Sequence, residues 1–168
     1  APAAMRSRNS IPHRPRGAAT PQNRGISVSG KLFKALPAYR IGQPSPLGAS
    51  ITPAGVNFSV VAPLATRVEL LLFADGCASE PEQVIELDGR HRSGDHWHVE
   101  VERVGLGCCY GYRVFGPLQS GSHGFNPSKV LLDPCARAIG GWDGYERGAA
   151  VGAIPNTASC LKGVVTER

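Results

Sequence analysis

The amino-acid sequence predicts an all-β protein: an antiparallel β-sandwich of about 100 residues behind a basic leader. Three observations carry this. Short apolar stretches alternate with a period of two, turn-forming Gly, Pro, Asn and Asp residues separate them at roughly 10- to 15-residue spacing, and the intervening segments hold no helical period.

The elements follow in order. Val56, Phe58 and Val60 alternate with Asn57, Ser59 and Val61, and Pro63 closes this first strand. Arg67-Val68-Glu69-Leu70-Leu71-Leu72-Phe73 alternates in its first half and then becomes wholly apolar, as a central strand should, before the turn Asp75-Gly76. Gln83 to Leu87 is the third strand, with Asp88-Gly89 after it. His96 to Glu102 has the cleanest alternation, with Trp97, Val99 and Val101 on one face and His96, His98, Glu100 and Glu102 on the other, the pattern of a half-buried strand. Tyr110 to Phe115 is rich in aromatic and β-branched residues and ends at Gly116-Pro117. After a polar, Gly- and Ser-containing loop, Asn126-Pro127 sets a turn, Lys129 to Leu132 is a short sixth strand, and Asp133-Pro134 stops it. Beyond Ile139 the periodicity dissolves, and residues 141–168 are expected to form a linker.

The 168 residues suffice for one domain, with a formal net charge of +5. That charge is unevenly spread. Residues 1–40 carry eight basic groups and no acidic one, whereas residues 41–168 carry ten basic and thirteen acidic groups, a net charge of −3. The basicity therefore belongs to residues 1–38, whose Arg, Ser, Ala and Pro content is that of a disordered transit-peptide-like leader. It points to a plastid stroma, with the cytoplasm as the other destination if the segment is merely a flexible tail. No aromatic residue precedes Phe33 and no basic patch with interleaved aromatics follows, so nucleic acid is not an expected partner. No apolar run approaches the roughly 18 residues of a membrane span, and no membrane partner is expected. The five cysteines, Cys77, Cys108, Cys109, Cys135 and Cys160, form no C-x-x-C pair, which suits reduced thiols. Cys108 and Cys109 are adjacent at a strand start, so their side chains should point to opposite faces.

Two stretches resemble a known family. Gly42-Gln43-Pro44-Ser45-Pro46-Leu47-Gly48, followed by Gly55-Val56-Asn57-Phe58, is similar to the opening of the amino-terminal β-sandwich of isoamylase-type α-glucan debranching enzymes in glycoside hydrolase family 13. Tyr110-Gly111-Tyr112-Arg113-Val114-Phe115-Gly116-Pro117, then Gly124-Phe125-Asn126-Pro127-Ser128-Lys129-Val130-Leu131-Leu132-Asp133-Pro134, resembles that module's end. Together they frame residues 39–140 as a carbohydrate-binding module of family 48. The resemblance implies an immunoglobulin-like, early-set sandwich, an α-glucan partner such as starch or glycogen, and a catalytic (β/α)₈ barrel in cis or in a partner subunit. Glycogen-binding members of the family carry a Trp in the loop after the second strand and a Lys in the segment that here reads Tyr110-Gly111-Tyr112. This chain instead has Ala74-Asp75-Gly76-Cys77 in that loop and Gly111 in that segment. It also has Gly124 where the family often has Arg, and Cys135 where it often has Tyr.

What chemistry remains? Glycoside hydrolysis needs two carboxylates flanking the scissile bond, and in the family these lie on the barrel, so no catalytic residue is assigned. Asp95, Glu100 and Glu102 belong to the solvated face or turn of one strand. No G-x-S-x-G elbow is present. His91, Asp95, His96 and His98 are the sole metal-like grouping, but with further ligands unspecified no metal and no cofactor is expected. Sugar binding calls for exposed aromatic rings near polar side chains, and the candidates are Trp142, Tyr145 and Trp97. Trp97 shares a face with Val99 and Val101, as a core residue would; Trp142, between glycines and Asp143, fits either a sugar platform or a contact with a barrel. The sequence thus supports a non-catalytic module of a debranching enzyme acting on α-1,6 branch points. The alternative is a free-standing or regulatory glucan-binding scaffold.

Overall fold

The computed structural model describes residues 35–117 and 124–167. The expected leader, apart from its last few positions, lies outside the described residues. The strands are Tyr39–Ile41 (β1), Gly48–Ile51 (β2), Gly55–Val61 (β3), Arg67–Phe73 (β4), Gln83–Leu87 (β5), Arg92–Ser93 (β6), His96–Glu102 (β7), Cys109–Phe115 (β8), Ala138–Gly140 (β9) and Lys162–Val164 (β10). They form two antiparallel sheets. The first runs β1–β7–β3–β2, with the short β6 also paired to β7; the second runs β5–β4–β8–β10–β9. The expected all-β sandwich is what the chain adopts.

The sheets close on one another through their alternating apolar positions. Val56 and Phe58 of β3 and Trp97, Val99 and Val101 of β7 meet Val68, Leu70 and Leu72 of β4, Ile85 and Leu87 of β5, and Tyr110 and Tyr112 of β8. Phe58 and Tyr110 pack edge to face across the interface, with centroids 4.9 Å apart. The unbroken apolar end of β4 has a separate explanation. Leu71 and Phe73 point the other way, into a second, smaller core on the outer face of the same sheet with Cys109, Val130 and Cys160. Cys108 belongs to the main core and Cys109 to this smaller one, so the adjacent thiols do face opposite ways.

That second core exists because residues 141–160 fold back over the sheet, and here the structure departs from the linker expectation. The segment contains the helix Arg147–Val151 (α1), and it returns the chain to pair as β10 between β8 and β9. Two polar anchors fix it. Buried Lys129 donates from Nζ to Ala149 O at 2.6 Å and also to Ile154 O. The Asn156 amide receives Val130 N at 2.7 Å and donates to Val130 O at 3.0 Å. Periodicity does not announce this segment, because side-chain hydrogen bonds to single backbone groups, rather than an apolar stripe, attach it.

The same anchor accounts for the sixth expected strand, Lys129 to Leu132, which reduces to one bridge between Leu131 and Tyr112. Asn156 occupies the backbone of Val130. At either end, Asn126 Oδ1 accepts from Ser128 N at 3.0 Å and Asp133 Oδ1 accepts from Cys135 N at 2.7 Å, turning the chain away from the ladder.

One face assignment is also corrected. His98, expected on the solvated face of β7, is 3% exposed. Residues 42–46 lie across the outer face of the first sheet: Gln43 N donates to Asn57 Oδ1 at 2.7 Å, Asn57 Nδ2 to Gln43 O at 3.0 Å, and Ser59 Oγ to Pro44 O at 2.7 Å. Ser59 is the register partner of His98, so the strap that covers one covers the other.

Candidate functional site

Glu100 and Asp133 on the sandwich are committed to structure. Glu100 accepts from Arg40 Nε at 2.9 Å and from Thr52 Oγ1 at 2.6 Å, and these bonds hold its carboxyl below the usual range, the wrong direction for a general acid. Asp133 is displaced upward by burial, but it is 2% exposed and receives the Tyr110 hydroxyl at 2.8 Å, so no substrate reaches it. His91 and His98 are similarly occupied. His91 Nδ1 lies 3.1 Å from Asp88 Oδ1 and His98 Nε2 lies 2.8 Å from Ser93 Oγ. Among the described residues no group of three or more His, Cys, Asp or Glu side chains is arranged to hold a metal ion.

The aromatic residues separate cleanly. Trp97 is 1% exposed, and its Nε1 donates to Ala62 O at 3.0 Å. It offers no face to a sugar, because the alternation of β7 turns it into the main core with Val99 and Val101. Its place among the glucan-binding candidates is therefore corrected. Trp142 and Tyr145 are 63% and 38% exposed, and the structure brings them together as an edge-to-face pair with centroids 6.4 Å apart and ring planes at 72°.

The backbone explains why the pair projects. Gly141 adopts φ 91°, and a Cβ there would lie 2.8 Å from Gly76 O, so glycine is required on both grounds. The chain then turns through Trp142–Gly144, with Tyr145 N donating back to Trp142 O at 3.3 Å, which sets the two rings side by side. Asp143, Glu146 and Arg147, their neighbours in the chain, are exposed.

Beneath the pair lies the β4–β5 loop. A Cβ on Gly76 would meet Gly141 N at 2.7 Å, and Lys162 Nζ donates to Gly76 O at 3.0 Å. At Gly111, a Cβ would meet Val130 Cγ1 at 2.6 Å, so that position has no room for a side chain. Sequence reasoning missed Gly76 and Lys162. The weak signal for them was an Asp-Gly turn and a lone lysine in an otherwise apolar Gly-Val-Val strand.

A profile of carbohydrate-binding module 48, described as the isoamylase N-terminal domain, matches residues 46–136. The chain belongs to carbohydrate-binding module family 48. Within the curated relatives, the module is 48% identical over 103 residues to a glycogen debranching enzyme of Pectobacterium carotovorum subsp. carotovorum (strain PC1), covering 60% of this chain and 15% of that enzyme. It is 46% identical over 101 residues to a glycogen debranching enzyme of Klebsiella pneumoniae (strain 342), again covering 60% and 15% of the two chains. The chain thus spans about 15% of the length of these relatives. Among solved structures, the product complex of a multi-modular glycogen-degrading pneumococcal virulence factor superposes with a TM-score of 0.51 at 14% identity, covering 76% of this chain and 12% of that one. At that identity the likeness concerns the fold of the module. The matched residues 46–136 stop short of Trp142 and Tyr145, so the aromatic pair lies outside the part that defines the family.

Proposed function

We propose that this module binds α-glucan on Trp142 and Tyr145, and that it is a non-catalytic amino-terminal domain of an isoamylase-type debranching enzyme hydrolysing α-1,6 branch points in starch or glycogen. The exposed pair carries the reading. Sugars present apolar C–H faces that stack on aromatic rings, and two rings at 72° make a bent platform. A bent platform complements the curved path of an α-linked glucan better than that of a straight chain. Its location adds support. Related glycogen-binding modules carry their Trp in the loop that here holds Gly76, and Gly141, immediately before Trp142, packs against that glycine. The ring is supplied from a neighbouring segment to the same corner of the fold.

The association with a catalytic domain rests on the family, on the debranching relatives, and on an apolar groove. Val61, Leu64 and Leu131 are 44%, 63% and 47% exposed around it, a surface suited to contact with a further domain. The test of glucan binding is co-sedimentation of the chain with insoluble starch and with glycogen, alongside Trp142→Ala. Binding by the parent and its loss in a variant of unchanged thermal midpoint is the expected result. A folded parent that stays in the supernatant overturns the glucan-binding reading and leaves the module a structural piece of the enzyme.

A further inference from the structure

A cleft of about 540 Å³ opens where β2, an edge strand of the first sheet, approaches the chain on either side of β9 and β10. Its volume lies in the range of small-molecule sites. Its lining is unusual for this protein, because several polar groups there are uncommitted. Ser50 Oγ is buried and has no hydrogen-bond partner among the described residues. The side chains of Gln43 and Glu167 and the guanidinium of Arg137 are exposed and carry no hydrogen bond or ion pair among the described residues. Ile51, 49% exposed, adds an apolar wall.

The charges select the ligand class. Arg137 and Glu167 carry opposite signs, so the cleft has no net bias toward an anion such as a phosphate or toward a cation. What suits a hydroxyl acceptor and donor, an amide, a guanidinium, a carboxylate and one apolar wall is a neutral polyhydroxylated molecule.

Placement turns the cleft into part of a larger surface. Arg137 immediately precedes β9 and Trp142 follows it by two residues, so the edge strand of the second sheet links the two sites. The extended part of that link is the three residues of β9, after which left-handed Gly141 turns the chain into Trp142. Ile139, midway along that edge, is 38% exposed. We infer that the cleft at Ser50, Arg137 and Glu167 is a second, hydroxyl-reading subsite for an α-glucan whose other end stacks on Trp142 and Tyr145, the chain running along β9. This rests on the glucan reading of the aromatic pair and extends it. The module measures glucan length: a short oligosaccharide occupies the rings alone, and a longer one also reaches the cleft.

The test is calorimetric titration of the full chain with maltotriose and with maltoheptaose, using the parent, Arg137→Ala and Trp142→Ala. The parent should bind maltoheptaose at least about tenfold more tightly than maltotriose, the effect of adding one charge-assisted hydrogen-bonding subsite. Arg137→Ala should abolish that tenfold advantage and leave maltotriose affinity unchanged, whereas Trp142→Ala should weaken both sugars. Parent affinities that are equal for the two sugars, or an Arg137→Ala variant that keeps the full length advantage, overturn the subsite. A folded parent that binds neither sugar overturns the glucan reading itself, which is a distinct result.

Discussion

Lys162 Nζ donates to Gly76 O at 3.0 Å, tying the last strand to a loop 86 residues earlier in the chain. Lys162 is 1% exposed, its ammonium also donates to Cys160 O at 3.3 Å, and it stands 4.8 Å from the centre of the Phe73 ring. Lys162→Met keeps the apolar stem but strands two carbonyls, and leaving buried acceptors unpaired costs about 1–3 kcal/mol. Removal of the buried charge works the other way, but the carbonyl cage already solvates that charge, so net destabilisation is expected. Urea denaturation should show a lower midpoint with an unchanged slope. A midpoint equal to or above the parent's would show that the cage contributes nothing.

Next to it, Gly163 faces Tyr110 in the ladder, and a Cβ there would lie 2.7 Å from Cζ of the ring. Tyr110 is fully buried and cannot swing away, because its hydroxyl is held by Asp133. Gly163→Ala should therefore destabilise by about 1–3 kcal/mol, the usual penalty of overpacking. Gly105→Ala is the control. Nothing lies within 4 Å of its added Cβ, and its φ is not in the left-handed region, so its thermal midpoint should match or slightly exceed the parent's.

These two positions also show where sequence reasoning stops. The strands whose alternation answers to one apolar core, β3, β4, β5, β7 and β8, were legible because each buries its own side chains at every second residue. Trp142 was legible as an exposed ring, since glycines and Asp143 left it no apolar neighbours in sequence. What was illegible depends on partners distant in the chain. His98 is buried by a strap of residues 42–46, Lys162 by the Gly76 loop, and the Val130 backbone is satisfied by the side chain of Asn156. Each is a hydrogen bond between one side chain and one backbone or side-chain group, with no period to detect. The cleft at Ser50 and Arg137 is similar, because it is assembled from segments that no motif joins.

Thiol reactivity should divide the cysteines. Burial pushes Cys108 up to about 12 and Cys109 up to about 11, and it raises Cys160 as well. Cys77 and Cys135 are exposed. Since the thiolate is the reacting form, iodoacetamide at pH 8 should alkylate Cys77 and Cys135 in the folded protein and the remaining three only after denaturation. Mass spectrometry of the modified peptides reads this directly. Rapid native labelling of Cys109 or Cys160 would mean that residues 141–160 open away from the second sheet.

Acid should weaken the fold through His98. Burial lowers the pKa of its imidazole, and the nearby His91 and His96 lower it further. The unfolded chain titrates near the ordinary value of about 6.5, above the folded one. Above that pH both states hold a neutral ring and stability is complete. As pH falls below about 6.5 the unfolded chain takes up a proton that the folded chain refuses, so stability declines until the lower folded value is passed. Unperturbed carboxylates titrate nearer 4, and Asp133, raised by burial, acts in the opposite sense to His98, favouring the fold as pH falls. Urea melts at pH 7.5 and pH 5.5 should therefore give a lower midpoint at the acidic value. His98→Gln, which has no proton to take up and an amide to meet Ser93 Oγ, should lose much of that pH dependence, whatever its own stability at pH 7.5. An identical acid-induced drop in the variant would place the sensitive group elsewhere and refute the assignment to His98.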